Sequence, residues 1–175
     1  MKLKIVLITA VLSSLAFGGN KMLTVGDIAP NFELNDEKGT VQTLESFKDK
    51  NFVVLIFYPG DETPVCTQQL CEVRDDYSSF TANGAVIFAV NPASGQSHKK
   101  FSDKNKLPFP LLVDEKMAVA SKYGVSGRMM NKRTVFVIGK DGRIVYAKHG
   151  KPPVSEILAS IRSTGEDSLR IDLKK

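Results

Sequence analysis

Cysteine and histidine are scarce in this 175-residue chain, with two of each, and the scarcity removes whole classes of chemistry. A zinc site would have to gather Cys66, Cys71, His98 and His149, whose spacings fit no ordinary finger. The histidines stand in separate polar segments and are expected to be exposed, so neither a metal nor a cofactor is expected. No serine sits in a Gly-x-Ser-x-Gly turn, which leaves nothing to suggest a hydrolase. Charge of one sign is also in short supply, at 24 Lys and Arg against 19 Asp and Glu. The densest basic cluster, His98-Lys99-Lys100 through Lys104 and Lys106, is interleaved with Ser102, Asp103 and Asn105. It reads as a solvated helix face, and nucleic acid is not an expected partner. Long apolar runs are missing too. Ile5 to Phe17 falls short of the roughly 20 residues that span a bilayer.

That run follows Lys2 and Lys4 and precedes Gly18 and Gly19, the layout of a secretory signal. Residues 1–19 are therefore expected to be a signal peptide cut near Gly18 or Gly19, with the product exported to a bacterial periplasm and not stably inserted in the membrane. Residues 20–175 are expected to form one domain, a usual size for a single core. Without the leader lysines the excess falls to 22 basic against 19 acidic residues. At 42% hydrophobic and 25% charged residues, the chain has no disordered or collagen-like bias.

Phe52 to Tyr58 is a continuous apolar run, which predicts a strand buried on both faces. Ala85 to Asn91, Pro110 to Asp114 and Thr134 to Gly139 read similarly. Helical spacing marks Pro64 to Phe80, Ser97 to Lys106, Lys116 to Tyr123 and Pro153 to Ser163. The alternation predicts an α/β domain whose sheet has a parallel core. Lys140-Asp141-Gly142 adds a tight turn into Arg143 to Lys148 and so an antiparallel hairpin. Asn31 to Leu34 and Thr40 to Leu44 flank a turn and predict an N-terminal hairpin. The tail beyond Ser163 is expected to be frayed or partly helical. Phe52, Phe57, Tyr58, Phe80 and Phe109 are placed to pack a core.

The chemistry concentrates after the first long strand, at Pro59-Gly60-Asp61-Glu62-Thr63-Pro64-Val65-Cys66. Thr63 is a good N-cap and Pro64 suits the first helical position. Cys66 then falls in the first turn, where unpaired N–H groups and the positive end of the helix dipole favour a thiolate. A reactive sulfur alone does not align a substrate or stabilise a leaving group, which needs a positioned hydrogen-bonding group and a fixed cation. Two cysteines in an exported chain would ordinarily suggest a structural disulfide. Positions 66 and 71 on one helix, however, hold their Cα atoms about 8 to 9 Å apart, beyond the roughly 7 Å limit for a bridge.

Pro59, Thr63 and Cys66, standing directly after a strand, resemble the Pro-x-x-x-Thr-x-x-Cys motif of the peroxiredoxins. Gly26-Asp27-Ile28-Ala29-Pro30, Phe32, Leu34, Gly39, Phe109-Pro110, Val113-Asp114, Tyr123-Gly124-Val125 and Asp141-Gly142 match in the same order. The resemblance implies a thioredoxin-like fold, a central mixed sheet flanked by helices. It also implies a peroxidatic Cys66 shielded by Pro59, met by the Thr63 hydroxyl and completed by Arg133, with Arg128 and Arg74 as competing cations. The Cys66-x-x-x-x-Cys71 spacing is similar to the bacterioferritin comigratory protein or peroxiredoxin Q branch, which implies that Cys71 resolves the sulfenic acid within one chain. Gln69 stands where that branch usually has glutamate. The implied partners are a hydroperoxide substrate and a thioredoxin-like or other thiol reductant, the chain being a monomer or weak dimer. Two other readings stand beside this one. An exported thiol-disulfide oxidoreductase would need Cys-x-x-Cys, but position 69 is Gln; a non-catalytic peroxide-sensing or binding domain would keep the same fold.

Overall fold

The computed structural model describes residues 21–172; the expected leader, 1–19, lies outside the described residues. β1 (Glu33–Asn35) and β2 (Val41–Thr43) form the expected antiparallel hairpin. Its turn is held by Asp36, whose carboxylate accepts from the backbone N–H groups of Lys38 and Thr40 at 2.9 Å each. A 3₁₀ turn, Glu45–Phe47, leads into β3 (Phe52–Phe57). There follow α1 (Pro64–Asp75), α2 (Tyr77–Ala82), β4 (Ala85–Asn91), α3 (Gly95–Asn105), β5 (Leu111–Val113), α4 (Ala118–Lys122), β6 (Thr134–Ile138), β7 (Ile144–His149) and α5 (Val154–Asp172).

The five long-range strands form one mixed sheet in the order β5-β4-β3-β6-β7. β3, β4 and β5 are parallel, while β6 and β7 run antiparallel. Every residue of β3 is buried, because apolar layers cover both faces and alternate along the strand. Phe52, Val54, Ile56 and Tyr58 join Leu70, Val73, Phe80, Phe101 and Ile157 beneath the helices α1, α2, α3 and α5. Val53, Leu55 and Phe57 join Phe32, Leu44, Tyr123 and Phe136 beneath the N-terminal segment and α4.

One element departs from the expected outline. The single helix expected over Pro64 to Phe80 breaks at Asp76 (φ −99°, ψ 10°), since Asp75 and Asp76 put negative charge at the end of a helix where the dipole is already negative. The restart as α2 lets Phe80 reach the core. The last helix continues to Asp172, so the tail beyond Ser163, expected to be frayed or partly helical, is helical as far as that residue.

The far layer is held by an aromatic group in which the Phe136 ring meets Tyr123 at 5.3 Å and Phe57, edge to face, at 5.9 Å. Phe136→Ala is expected to cost about 3 to 5 kcal/mol, read as a lower urea midpoint at unchanged slope; a loss below about 1 kcal/mol would contradict this packing.

Candidate active site

β3 delivers the chain to the buried Tyr58, and six residues later α1 begins. Thr63 is extended (φ −75°, ψ 141°) and caps α1, its Oγ1 accepting from the Cys66 N–H at 3.4 Å, with Pro64 at the first helical position. Because Oγ1 acts as the acceptor here, the Thr63 hydroxyl proton stays available to a substrate oxygen. Cys66 faces inward at 0% exposure, whereas Thr63, Pro64 and Val65 form an exposed outer lip.

The cation arrives from β6. Register pairs Thr134 with Phe57, so Arg133 stands where β3 gives way to the Cys66 loop. Its guanidinium forks: Nη2 donates to Cys66 Sγ at 3.0 Å, and Nη1 donates to Gln69 Oε1. Gln69 is buried one turn beyond Cys66 on α1, and it fixes the plane of the fork. The loop before Arg133 is folded tightly on itself. Ser126 bridges Asn131, the Gly127 N–H donates to the Met130 carbonyl, and Asn131 Nδ2 donates to the Val90 carbonyl. A Cβ on Gly127 would lie 2.4 Å from the Met130 carbonyl oxygen, so any other residue there shifts the approach of Arg133.

Of the residues expected at the site, Cys66, Thr63 and Arg133 are brought together, and Pro59 opens the same loop, half-buried. The competing cations lie elsewhere. Arg74 donates to the Asn105 carbonyl at 2.7 Å and pairs with Asp75, and Arg128 is exposed. Cys71 is held apart from Cys66: both are free thiols, and Cys71 Sγ lies 3.8 Å from Asn105 Oδ1 at the end of α3. The expectation of two exposed histidines is corrected in one case. His149 is exposed, but His98 is fully buried, because the inner face of α3 turns it toward Asp61. Among the described residues no cluster of three or more His, Cys, Asp or Glu is arranged to hold a metal.

Asp61 is the polar centre of the Cys66 loop. Its carboxylate accepts from Tyr58 Oη (2.8 Å), Asn91 Nδ2 (3.0 Å) and Ser97 Oγ (2.6 Å), and meets His98 Nδ1 at 3.0 Å. Burial opposes the charged form, but the hydrogen bonds from His98 and Ser97, the charge of His98 and the Tyr58 hydroxyl outweigh it and hold the carboxyl at about 2. Burial, with the charge of Asp61, pushes the Tyr58 phenol well above its usual range. Neither Gln69 nor this network was identified as part of a site from sequence, although an Asp between the motif's Pro and Thr is a signal that a polar anchor is present.

The comparisons with known proteins bear on this geometry. Residues 25–147 match the model of the AhpC/TSA family. This chain belongs to the peroxiredoxins. It is 36% identical over 155 residues to peroxiredoxin Bcp of Bacillus subtilis, covering 82% of this chain and 98% of that one. It is 41% identical over 124 residues to the chloroplastic peroxiredoxin Q of Oryza sativa subsp. japonica, covering 69% of this chain but only 57% of the rice protein. The crystal structure of peroxidoxin BcpB from Mycobacterium tuberculosis superposes with a TM-score of 0.77 at 31% identity, over 82% of this peroxiredoxin and 98% of that chain.

The fork predicts unequal losses. Arg133→Ala is expected to slow Cys66 oxidation by about 10²- to 10³-fold, and Gln69→Ala, which frees the fork without removing it, by less than about tenfold; stopped-flow oxidation at neutral pH checks both, and equal losses would contradict the assignment. The Asp61 carboxyl predicts an acid limb. Its folded value lies below the ordinary 3.8, so its contribution, about 1 to 2 kcal/mol after screening, is complete above pH about 4 and is lost as pH falls toward 2. Urea midpoints across that range should fall for the wild type and flatten in Asp61→Asn.

Proposed function

We propose that this peroxiredoxin is a thiol-dependent peroxidase that reduces hydrogen peroxide and organic hydroperoxides through Cys66, with Cys71 closing an intramolecular disulfide. The observation that carries the reading is the 3.0 Å contact between the Arg133 guanidinium and a Cys66 sulfur fully withdrawn from water. The same fork is placed to face the oxygen that gains charge as the peroxide O–O bond breaks. Sulfur attacks the nearer oxygen, the S–O bond forms as the O–O bond breaks, and the departing oxygen takes a proton to leave as water or an alcohol. The Thr63 hydroxyl is placed to orient the peroxide. Cys71 then attacks the sulfur of the Cys66 sulfenic acid; an S–S bond replaces the S–OH bond and water leaves.

Two features support resolution by Cys71 and set its cost. The thiols share one chain segment and are both free, yet α1 in its regular form holds their Cα atoms about 8 to 9 Å apart. Oxidation therefore requires α1 to unwind in part. Each helical hydrogen bond exchanged for water costs only about 0.5 to 1.5 kcal/mol, which makes local opening compatible with turnover. A thioredoxin-like dithiol suits the return step, since it reduces a disulfide by exchange. The oxidoreductase reading is less well supported, because the second cysteine lies five residues from the first and not three.

Export of the chain as a monomer or weak dimer completes the proposal. It rests on the basic start and apolar run of residues 2–17; no helix among the described residues is long and apolar enough to cross a membrane. A mature N-terminus near Gly19, recovered outside the cytoplasm, is the result that checks it.

One equivalent of peroxide should leave the wild type lighter by two hydrogens in intact-mass analysis. Cys71→Ser should instead gain one oxygen and stop, and Cys66→Ser should consume no peroxide; turnover by Cys66→Ser would refute the assignment. In the disulfide form, amides from about Val65 to Arg74 should exchange faster than in the dithiol form, and equal protection in both states would refute the unwinding.

A further inference from the structure

The Cys66 loop contains a strained residue. Glu62, between Asp61 and Thr63, has φ +59°, a left-handed conformation that L side chains adopt at a cost and keep only where the surroundings over-determine it. The side chain of Glu62 does not supply that hold, because it is exposed and reaches Lys100 and Lys104 only at 3.9 and 3.6 Å. Thr63 does not supply it either, since its cap bond to the Cys66 N–H is long and belongs to α1. Thr63 also accepts from the Thr67 N–H at 2.9 Å, again a bond to α1; among the described residues, the segment Pro59–Thr63 is hydrogen-bonded to the scaffold outside α1 by the side chain of Asp61, whose carboxylate has four side-chain partners.

Those partners lie on the rigid scaffold. Tyr58 directly follows the central strand, Asn91 ends β4, and Ser97 and His98 belong to α3; none lies on α1. Tyr58, Asn91 and His98 are each fully buried. Both ring nitrogens of His98 are engaged, Nδ1 by Asp61 and Nε2 by the Leu112 carbonyl at 3.2 Å, so the ring is tied to β5 as well as to the loop.

We infer that Asp61, fixed by His98, is the positioning residue of the peroxide-binding loop: it holds Pro59–Thr63 in the shape that presents the Thr63 hydroxyl beside Cys66, and it does so independently of α1. The loop therefore keeps its form while α1 unwinds for disulfide formation, and the pocket is ready when Cys66 returns. This inference rests on the peroxidase reading and deepens it. Asp61 and His98 touch neither sulfur nor substrate. Their effect falls on reactions that need an aligned peroxide and spares those that need only the thiolate.

The test uses two reagents on Cys66 in a Cys71→Ser background, where it is the only thiol. Hydrogen peroxide needs the loop, and iodoacetamide needs the sulfur and its cation. Asp61→Asn places an amide donor among donors, and His98→Phe keeps the ring but removes its hydrogen bonds. Both are expected to lower the rate constant for peroxide by about 10- to 100-fold, the scale of a misplaced reacting group, while alkylation changes less than about twofold. His98→Asn, which restores a donor toward Asp61, should recover most of the peroxide rate. Peroxide and alkylation rates falling in parallel, or peroxide rates equal to the parent, would overturn the inference. A parent that reacts with iodoacetamide but not with peroxide would overturn the peroxidase reading itself and the inference with it. Urea midpoints measured alongside show that each variant is folded at the assay temperature.

Discussion

The chemistry of this protein depends on a guanidinium placed against a buried sulfur. Negative charge that develops on atoms withdrawn from water needs a fixed cation within contact distance, because an unpaired charge in an apolar setting is costly. Arg133 meets that need from a strand antiparallel to the one that feeds the Cys66 loop. The mixed sheet thus brings together two segments 67 residues apart, and no helix motion is needed to align them. Gln69 completes the arrangement with a neutral acceptor. A carboxylate at that position would share the positive charge; an amide fixes the fork and leaves its charge directed at the sulfur.

The second constraint is the helix that carries both cysteines. Under the proposed mechanism α1 has opposed tasks, since it must cap and orient Cys66 in the dithiol state and yield its own order for the disulfide. The structure separates the tasks in space. The N-terminal turn is held by Thr63 and Pro64, while Cys71 and Arg74 meet the last residue of α3 through Asn105. α3 therefore borders both ends of the active segment. Its first turn grips the loop through Ser97 and His98, and its last residue, Asn105, accepts from Arg74 at 2.7 Å and lies 3.8 Å from Cys71 Sγ.

Much of this was legible in the chain. The uninterrupted apolar run of Phe52 to Tyr58 announced a strand buried on both faces, and Thr63-Pro64 announced a helix start that puts Cys66 in its first turn, because those signals are local. Arg133 was chosen over Arg74 and Arg128 by resemblance alone; the decisive fact, the pairing of Thr134 with Phe57, is long-range and leaves no local trace. The same limit explains His98. Followed by two lysines, it reads as solvated, yet the period of α3 turns it and Phe101 inward while Lys99 and Lys100 stay out. The break at Asp76 is the converse case, where helical spacing carried the reading past two acidic residues that end the helix.

Leu70 and Val73 lie on the inner face of α1 and are entirely covered in the dithiol form. If the proposed disulfide forms, unwinding that brings Cys71 to Cys66 would lift them from the core, and the disulfide form would display apolar surface that the dithiol form conceals. The redox state would thereby be translated into shape and stickiness. A reducing partner able to clasp an unfolded apolar segment would find its target only after a peroxide had been consumed, and would lose its hold once the thiols were restored and the helix closed over its own signal.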